Sequence, residues 1–471
     1  MRVVVVGAGP AGMAAARTAA DAGAEVVMVD SEPDAGGQYL RGRARFSHTG
    51  VTHLRNTEVW MVEGNTLHLR GPSDRRGESR ENEAPSAVAA APCAATATPS
   101  AAAATPSAVA ATPSAVPATP SAVPATPSAV TATPSAAAAT PSAVPANPRL
   151  LHFDALVVAT GAYDRPLPFP GWDGPGVITA GAAQALAKQG VTLAERVIVA
   201  GTGPFLLPVA TALQDLGATL VGVYEASSPT RWLREAKAIT ANRHKIGELA
   251  GYRKVLPRLE TRTAVIAKHG DRVTVAKLDS QWRPVSHRTV QADLVCIGYG
   301  FLPRTDLLPD ASRTDDFYDV DEHQRTSIEH VYAAGEVTGI GGADLAEAEG
   351  VIAGAAAAGQ EPPRKAVEAV RKGRLFAQAL ARAHAVQPGW RTWPAPDTTV
   401  CRCEKVRLED LADASSMREL KLTSRVAMGR CQGRICARNA AELTGVPFDG
   451  QRRVIAVPIP LGELAALPEE K

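Results

Sequence analysis

The sequence predicts an α/β chain: two Rossmann-like parallel-sheet units, the first discontinuous, then a small cysteine-bearing C-terminal module, with a low-complexity insertion. Three observations predict this. A β-branched strand, a glycine turn, an Ala-rich helix and a second apolar strand ending in an acid occupy residues 1–30, and the pattern returns with a defect at 196–225. Four of the six cysteines fall between Cys401 and Cys436. From Ala84 to Pro148 the chain is almost only Ala, Thr, Pro, Ser and Val.

Arg2–Val6 reads as a buried parallel strand. It breaks into Gly7-Ala-Gly9-Pro-Ala-Gly12. Gly7 permits the tight turn, Gly9 lets the backbone approach a pyrophosphate, and Gly12 lets the helix lie close on the strand. The helix N-terminus offers free N–H groups to phosphates. Asp30, at the tip of the second strand (Glu25–Val29), is placed to accept a ribose hydroxyl. A Gly36-Gly37 pair follows and allows a second close approach; Gln38 beside it could bond a ring edge or phosphate, or simply sit in a surface turn.

Lysine plus arginine total 50 and aspartate plus glutamate 48, a net charge of +2, so nothing points to nucleic acid or a charged membrane surface. No uninterrupted apolar run is long enough to span a bilayer. Three glycines and a proline in the first apolar stretch argue against a signal peptide. A cytoplasmic protein is expected, and in that setting the clustered cysteines suggest a metal rather than disulfides.

Thr57–Glu63 and Thr66–Arg70 read as short strands, and Leu150–Phe153 and Asp154–Val158 as two more, the last ending in Ala159-Thr160-Gly161. Between them prolines recur every seventh residue from Pro85 to Pro148 around a Thr-Pro-Ser-Ala-Val-Pro-Ala unit. Proline at that period removes helix donors, and nothing large is available to bury, so a disordered or polyproline-like spacer is expected. Thr66–Arg70 and Leu150–Phe153 would be hairpin neighbours, which puts the repeat at a hairpin tip.

Arg196–Ala200 opens the second pattern, followed by Gly201-Thr-Gly203-Pro-Phe-Leu206 and a strand, Leu220–Tyr224, ending at Glu225. The third glycine has become Leu206, and Pro208 falls in the first helical turns. NAD, or ATP or ADP, is a candidate ligand, and Glu225 favours a free 2′-hydroxyl. Arg262–Lys277 reads as a meander, Ala292–Ile297 as a closing strand, and Cys296 as a small buried hydrophobe. Later, Val331–Ala334 runs into Gly335-Glu336 and a glycine turn (Gly339, Gly341, Gly342) before a helix from about Ala343. A carboxylate at such a strand end can bind sugar or ribityl hydroxyls, and the helix N-terminus can stabilise negative charge on a reduced ring.

These residues resemble the flavoproteins with two dinucleotide domains related to glutathione reductase. The resemblance implies that Gly7, Gly9, Gly12, Asp30, Gly161, Gly335 and Glu336 hold FAD. There is no Cys pair after Gly37 and no Cys-x-x-Cys in the nucleotide regions, so no dithiol relay is available. No histidine stands in a recognisable acid–base pair, and the catalytic residues are unassigned.

Cys401-Arg-Cys403-Glu and Gly429-Arg-Cys431-Gln-Gly433-Arg-Ile-Cys436 are two close pairs separated by a segment with an expected helix at about Leu408–Glu419. Four thiolates suit a [2Fe–2S] cluster or structural zinc. Arg402, Arg430 and Arg434 would offset cluster charge. CRCE with GRCQGRIC is similar to the [2Fe–2S] module named after bacterioferritin-associated ferredoxin. Its fusion to such a flavoprotein resembles the alpha subunits of heteromeric amine dehydrogenases and oxidases, of the hydrogen cyanide synthase, opine oxidase and proline or hydroxyproline dehydrogenase type. ATGAYDRPLPFPGWDGPGVITAGAAQ and VPIPLG carry the same likeness. The stretch between Gln38 and Thr57 is shorter than that group's pattern, and the repeat is foreign to it.

The resemblance implies a discontinuous FAD domain (1–72, 149–164 and 298–385), an insertion (73–148), a second nucleotide domain (165–297) and a [2Fe–2S] domain (395–471). It implies a smaller, amine-oxidase-like flavoprotein partner that oxidises the C–N bond, and a downstream electron acceptor. The rival readings are a self-sufficient NADH-dependent reductase and a redox-silent nucleotide-binding scaffold. Because an insertion at a hairpin tip costs only slowly growing closure entropy, deleting residues 84–148 is expected to leave stability within about 1 kcal/mol. A denaturation midpoint checks this, and loss of folding would identify the segment as structural.

Overall fold

The structure is a computed structural model, and it describes residues 1–42, 46–71, 149–235, 238, 240, 249–252, 254–411, 413–448, 453 and 455–465. The repeat at 84–148 and Cys93 lie outside the described residues. All described residues belong to one compact unit.

The N-terminal run folds as expected, with β1 (Arg2–Val6), α1 (Pro10–Asp21) and β2 (Glu25–Val29), then a single short turn α2 (Gly37–Leu40) and β3 (Val51–Leu54). Val3, Val4 and Val5 are fully buried, as both faces of a parallel strand must be. An antiparallel trio follows: β4 (Glu58–Glu63), β5 (Thr66–Arg70) and β6 (Arg149–His152). β5 pairs with β6 in the register Thr66 to His152, so the two strands flanking the repeat are neighbours, as expected. β7 (Ala155–Val158) returns to the first sheet beside β1.

Strand β8 (Ala162–Asp164) leaves that sheet, and β9 (Val177–Thr179) and α3 (Ala180–Lys188) enter the second unit. Its core is β10 (Arg196–Gly201), α4 (Leu206–Asp215), β11 (Thr219–Glu225) and β12 (Leu259–Thr261). A three-stranded meander, β13 (Thr263–His269), β14 (Arg272–Leu278) and β15 (Pro284–Gln291), precedes β16 (Leu294–Gly298). The second sheet runs β12–β11–β10–β16–β9 and is parallel throughout. Cys296 in β16 is wholly buried. The chain crosses back on β17 (Phe301–Pro303), antiparallel to β8.

A small hairpin, β18 (Arg313–Thr314) and β19 (Phe317–Tyr318), leads to β20 (Val331–Ala333). β20 completes the first sheet in the order β20–β7–β1–β2–β3, again all parallel. α5 (Ala343–Ala357) and α6 (Arg364–Ala383) follow. The C-terminal part holds β21 (Thr399–Cys401), β22 (Val406–Arg407), α7 (Met417–Ser424), α8 (Ala437–Thr444) and α9 (Leu461–Ala465). Val400, Met417, Leu420, Ala437 and Ala440 belong to its core cluster. It is bound to the second unit by buried tryptophans. Trp172 Nε1 donates to Thr399 O (2.5 Å), Trp390 Nε1 to Glu442 Oε2 (3.1 Å), and Trp393 Nε1 to Trp282 O (3.0 Å). Among the described residues no helix is long and apolar enough to cross a membrane.

The helix expected at about Leu408–Glu419 forms later, at Met417–Ser424. Ser416 Oγ accepts from Glu419 N (3.2 Å), and the Glu419 carboxylate accepts from Ser415 N (2.8 Å). This reciprocal capping of the Ser-x-x-Glu type fixes the start, and it is legible in the sequence.

Helix α5 lies against α1 with backbone nearly touching backbone. A Cβ on Gly350 would stand 2.1 Å from Ala11 O, and one on Gly354 2.3 Å from Ala15 O. Gly350→Ala should therefore separate the helices and cost about 1–3 kcal/mol, as overpacked cores do. The denaturation midpoint should fall accordingly; an unchanged midpoint would mean the contact is not close.

Candidate nucleotide and thiol sites

The first bed forms where β1 turns into α1. Gly7 has φ +104°, and a Cβ there would meet Ala159 O at 2.3 Å, so the Ala159-Thr160-Gly161 strand end needs a glycine opposite it. A Cβ on Gly12 would lie 1.7 Å from Gly7 O. Gly9, by contrast, has open space above it and serves as the N-cap of α1, followed by Pro10 at the first helical position. The turn's backbone is thus closed on the protein side and open on the other, where an approaching pyrophosphate would meet the helix N-terminus. Gly37 stands over this turn: its Cβ would be 3.1 Å from Gly9 Cα, and Gly36 N donates to Ala8 O (2.7 Å). Gln38 joins through its main chain, its carbonyl accepting from Lys188 Nζ of α3 (2.5 Å). The Asp30 carboxylate accepts from Ala8 N and from Glu32 N (2.7 Å for the second), which pins the strand end to the glycine turn.

The late motif comes to the same place. A Cβ on Gly335 (φ +81°) would be 2.9 Å from Ala11 Cβ of α1. Among the described residues none donates a hydrogen bond to the Glu336 carboxylate, and burial raises its pKa. An acid held without a protein donor suits hydroxyl donors on a ligand. The following loop ends at Gly342 (φ +83°), the N-cap of α5. A Cβ on Gly341 would strike Leu345 Cδ2 at 2.3 Å.

Beneath this loop is a group that the sequence pattern does not single out. Glu349, on α5 and only 2% exposed, accepts from Gly335 N (2.9 Å), Thr338 Oγ1 (2.9 Å) and Arg374 Nε of α6 (3.0 Å). With its amide oxygen and nitrogen exchanged so that each meets a complementary group, Gln324 accepts from Arg374 and donates to Ala333 O, both at 2.9 Å. Burial raises the pKa of Glu349 while Arg374 lowers it. The only sequence signal was its place as the last of three acids in α5, directly before the run GVIAGAAA.

The second bed copies the first imperfectly. Gly201 is required, since a Cβ there would lie 1.8 Å from Gly298 O, and Gly203 is open like Gly9. α4 starts only at Leu206, whereas α1 starts directly after Gly9. Pro208 lies in the first turn, where a missing N–H costs no helix bond, and Leu206 N and Leu207 N make three-residue turns to Gly203 O (3.3 Å) and Pro204 O (3.1 Å). Leu206 is buried in the core. The Glu225 carboxylate accepts from Thr202 Oγ1 (2.7 Å), Gly203 N (2.7 Å) and Ser227 N (2.8 Å). His384 Nδ1 is 3.5 Å from it. The expectation that no histidine pairs with an acid is therefore corrected: His384 with Glu225, His48 with Asp21 (3.0 Å) and His68 with Glu63 (3.1 Å) are all such pairs. Glu225 and His384 are far apart in the chain and meet only through α6.

The four C-terminal thiols converge. Hydrogen bonds link Cys436 to both Cys401 and Cys431, and Cys403 to Cys431. The bonds from Cys436 bring Cys401 down to about 6 and Cys431 down to about 5, helped by N–H groups of Glu404 and Ala427 at the first and of Ile435 and Gly433 at the second. The same bonds push Cys436 up, and burial pushes Cys403 up. A Cβ on Gly429 would lie 2.3 Å from Cys403 Cβ, so the two cysteine loops pack face to face. Among the described residues no group of three or more His, Cys, Asp or Glu side chains is placed as ready metal ligands. Of the neighbouring arginines, Arg434 is paired with Asp306 (3.0 Å) and Arg402 lies over the Trp172 ring (5.1 Å).

Glu349→Leu leaves the Gly335 N–H and Arg374 without their acceptor and is expected to cost about 1–3 kcal/mol. Glu349→Gln keeps an acceptor for Gly335 N and should cost clearly less. Equal denaturation midpoints for the two variants would remove Glu349 from this role.

Comparison with known proteins agrees with this architecture. Residues 124–373, over half of the chain, match the family "Pyridine nucleotide-disulphide oxidoreductase", and residues 2–100 match "FAD dependent oxidoreductase". The chain is 34% identical to hydrogen cyanide synthase subunit HcnB of Pseudomonas aeruginosa, across 61% of this chain and 69% of that one. It is 30% identical to one of the subunits of opine oxidase from Agrobacterium tumefaciens, across 99% and 92%. The fold is that of L-proline dehydrogenase from P. horikoshii, with a TM-score of 0.59 at 14% identity over 98% of this chain and 80% of the other. The chain belongs to the pyridine nucleotide-disulphide oxidoreductase family and is an FAD-dependent oxidoreductase related to HcnB and to these opine oxidase subunits.

Proposed function

We propose that this chain is the electron-transferring subunit of a heteromeric dehydrogenase or oxidase acting on an amine or amino acid of the proline, hydroxyproline, opine or glycine type. The observation that carries the reading is the first bed. An open glycine turn at a helix N-terminus and a half-buried acid without a described protein donor stand on two motifs that pack against one helix, α1. Gly7, Gly9 and Gly12 would receive the pyrophosphate of FAD, and Asp30 a ribose hydroxyl. Glu336 would accept ribityl hydroxyls, with Gly161, Gly335, Gly341 and Gly342 shaping the walls. Bound FAD supplies a two-electron acceptor that can also pass electrons singly.

Cys401, Cys403, Cys431 and Cys436 are the proposed ligands of a [2Fe–2S] cluster in a C-terminal module. Support comes from their mutual hydrogen bonds, and from the lowered pKa values of Cys401 and Cys431, which keep thiolates available at neutral pH. Among the described residues the histidine–acid pair of the second bed, His384 with Glu225, is committed to Trp232, Thr202 and backbone N–H groups. The C–N oxidation is therefore assigned to a smaller flavoprotein partner, with this chain passing electrons to a downstream acceptor.

Purified protein should show a flavin band and release FAD on heating, and Gly9→Val should abolish both. Correctly folded protein without nucleotide would overturn the FAD assignment. Anaerobic preparations should carry about two irons per chain, lost in Cys431→Ser; zinc without iron would overturn the cluster. The isolated chain should not turn over proline, hydroxyproline, glycine or opines with an artificial acceptor, whereas co-expression with the smaller subunit should restore turnover. Robust activity of the chain alone would favour a self-sufficient enzyme.

A further inference from the structure

The two beds differ in what stands on the acid at the second strand tip. In the first, Asp30 accepts two backbone N–H groups, from Ala8 and Glu32. In the second, both oxygens of Glu225 are committed. Oε1 takes Thr202 Oγ1 and Ser227 N; Oε2 takes Gly203 N and faces His384 Nδ1. Glu225 is 8% exposed.

His384 is not there by accident of rotation. It is the C-cap of α6, and its Nε2 accepts from Trp232 Nε1 at 3.2 Å. An indole N–H can only donate, so Nε2 carries the lone pair and Nδ1 carries the proton. That proton lies on the nitrogen 3.2 Å from Thr202 Oγ1 and is directed to the Thr202–Glu225 pair. Trp232 stands edge-on to His384 (5.8 Å between centroids) and packs on Phe376 of α6 at the same separation. Glu235, three residues on, takes a two-pronged bond from Arg382 (2.9 and 2.7 Å). Thus the Pro229–Glu235 segment after β11 and the end of α6 are joined twice, with His384 between them over the acid.

We infer that His384 occupies the adenosine-ribose position of the second bed and is the residue that bars a pyridine dinucleotide from it. A ribose hydroxyl would have to displace an imidazole that is held on both nitrogens. The open glycine at Gly203 remains, but the acid that would select the cofactor is already satisfied. The family fold is retained for packing, and reducing equivalents enter elsewhere. The inference rests on the FAD reading of the first bed only in that the test uses flavin-loaded protein.

The test is an anaerobic titration of FAD-loaded protein with NADH, followed by tryptophan fluorescence and flavin absorbance, run in parallel on Gly9→Val protein, whose first bed is blocked. The wild type should show no saturable binding and no flavin bleaching. His384→Ala should bind NADH at least about tenfold more tightly, by removing the competitor for Glu225. Trp232→Phe keeps the packing but frees His384 Nε2, and should give an intermediate gain if His384→Ala does not fold. Saturable NADH binding by the wild type, or no gain in either folded variant, overturns the inference. A colourless preparation counts against the FAD reading instead, and the Gly9→Val titration still decides this one.

Discussion

The structure depends on two helices that touch along their backbones. α1 and α5 come from opposite ends of the first unit, and Gly350 and Gly354 let α5 rest on the carbonyls of Ala11 and Ala15. Side chains of ordinary size would hold such helices some 8–10 Å apart. The close approach brings the Gly335 turn against α1 and carries Glu349 beneath it. From there Glu349 holds Gly335 N, Thr338 and Arg374 at once. One packing contact therefore sets the floor of the bed and the acid at its edge.

A glycine fingerprint reports a turn that a phosphate could approach, and no more. The two fingerprints here share an open second glycine and an acid at the strand tip, yet their surroundings part. In the first, the acid ties strand to turn with backbone donors. In the second, the Thr202 hydroxyl, two backbone N–H groups and the histidine at the end of α6 gather on the acid. Buried carboxylates demand donors, and whichever groups the fold brings to them determine whether a ligand is still needed.

The thiol site obeys the same rule. Two short loops face each other across Gly429 and Cys403, and backbone N–H groups from Glu404, Ala427, Gly433 and Ile435 turn toward the sulfurs. Such donors stabilise thiolates whatever later binds them. The tryptophans of the link, Trp390 and Trp393, hold this part to the second unit with both indole N–H groups bonded.

The sequence by itself determined the local units. β1, β2 and the turn between them followed from β-branched runs and from glycines at fixed spacing, because strand and turn preferences act within a few residues. The β5–β6 pairing across the repeat was legible for the same reason: each strand carried its own pattern, and a hairpin needs no information from the loop. The start of α7 had a local signal too, in Ser416 and Glu419, which lies later than the helix expected at about Leu408–Glu419. Only the tertiary structure decided what meets over those units. Glu349 looked like an ordinary helical acid until α6 brought Arg374 to it, and Glu225 looked like a cofactor acid until the same helix delivered His384. Contacts of that kind are chosen by the packing of distant elements, so no local period or spacing encodes them.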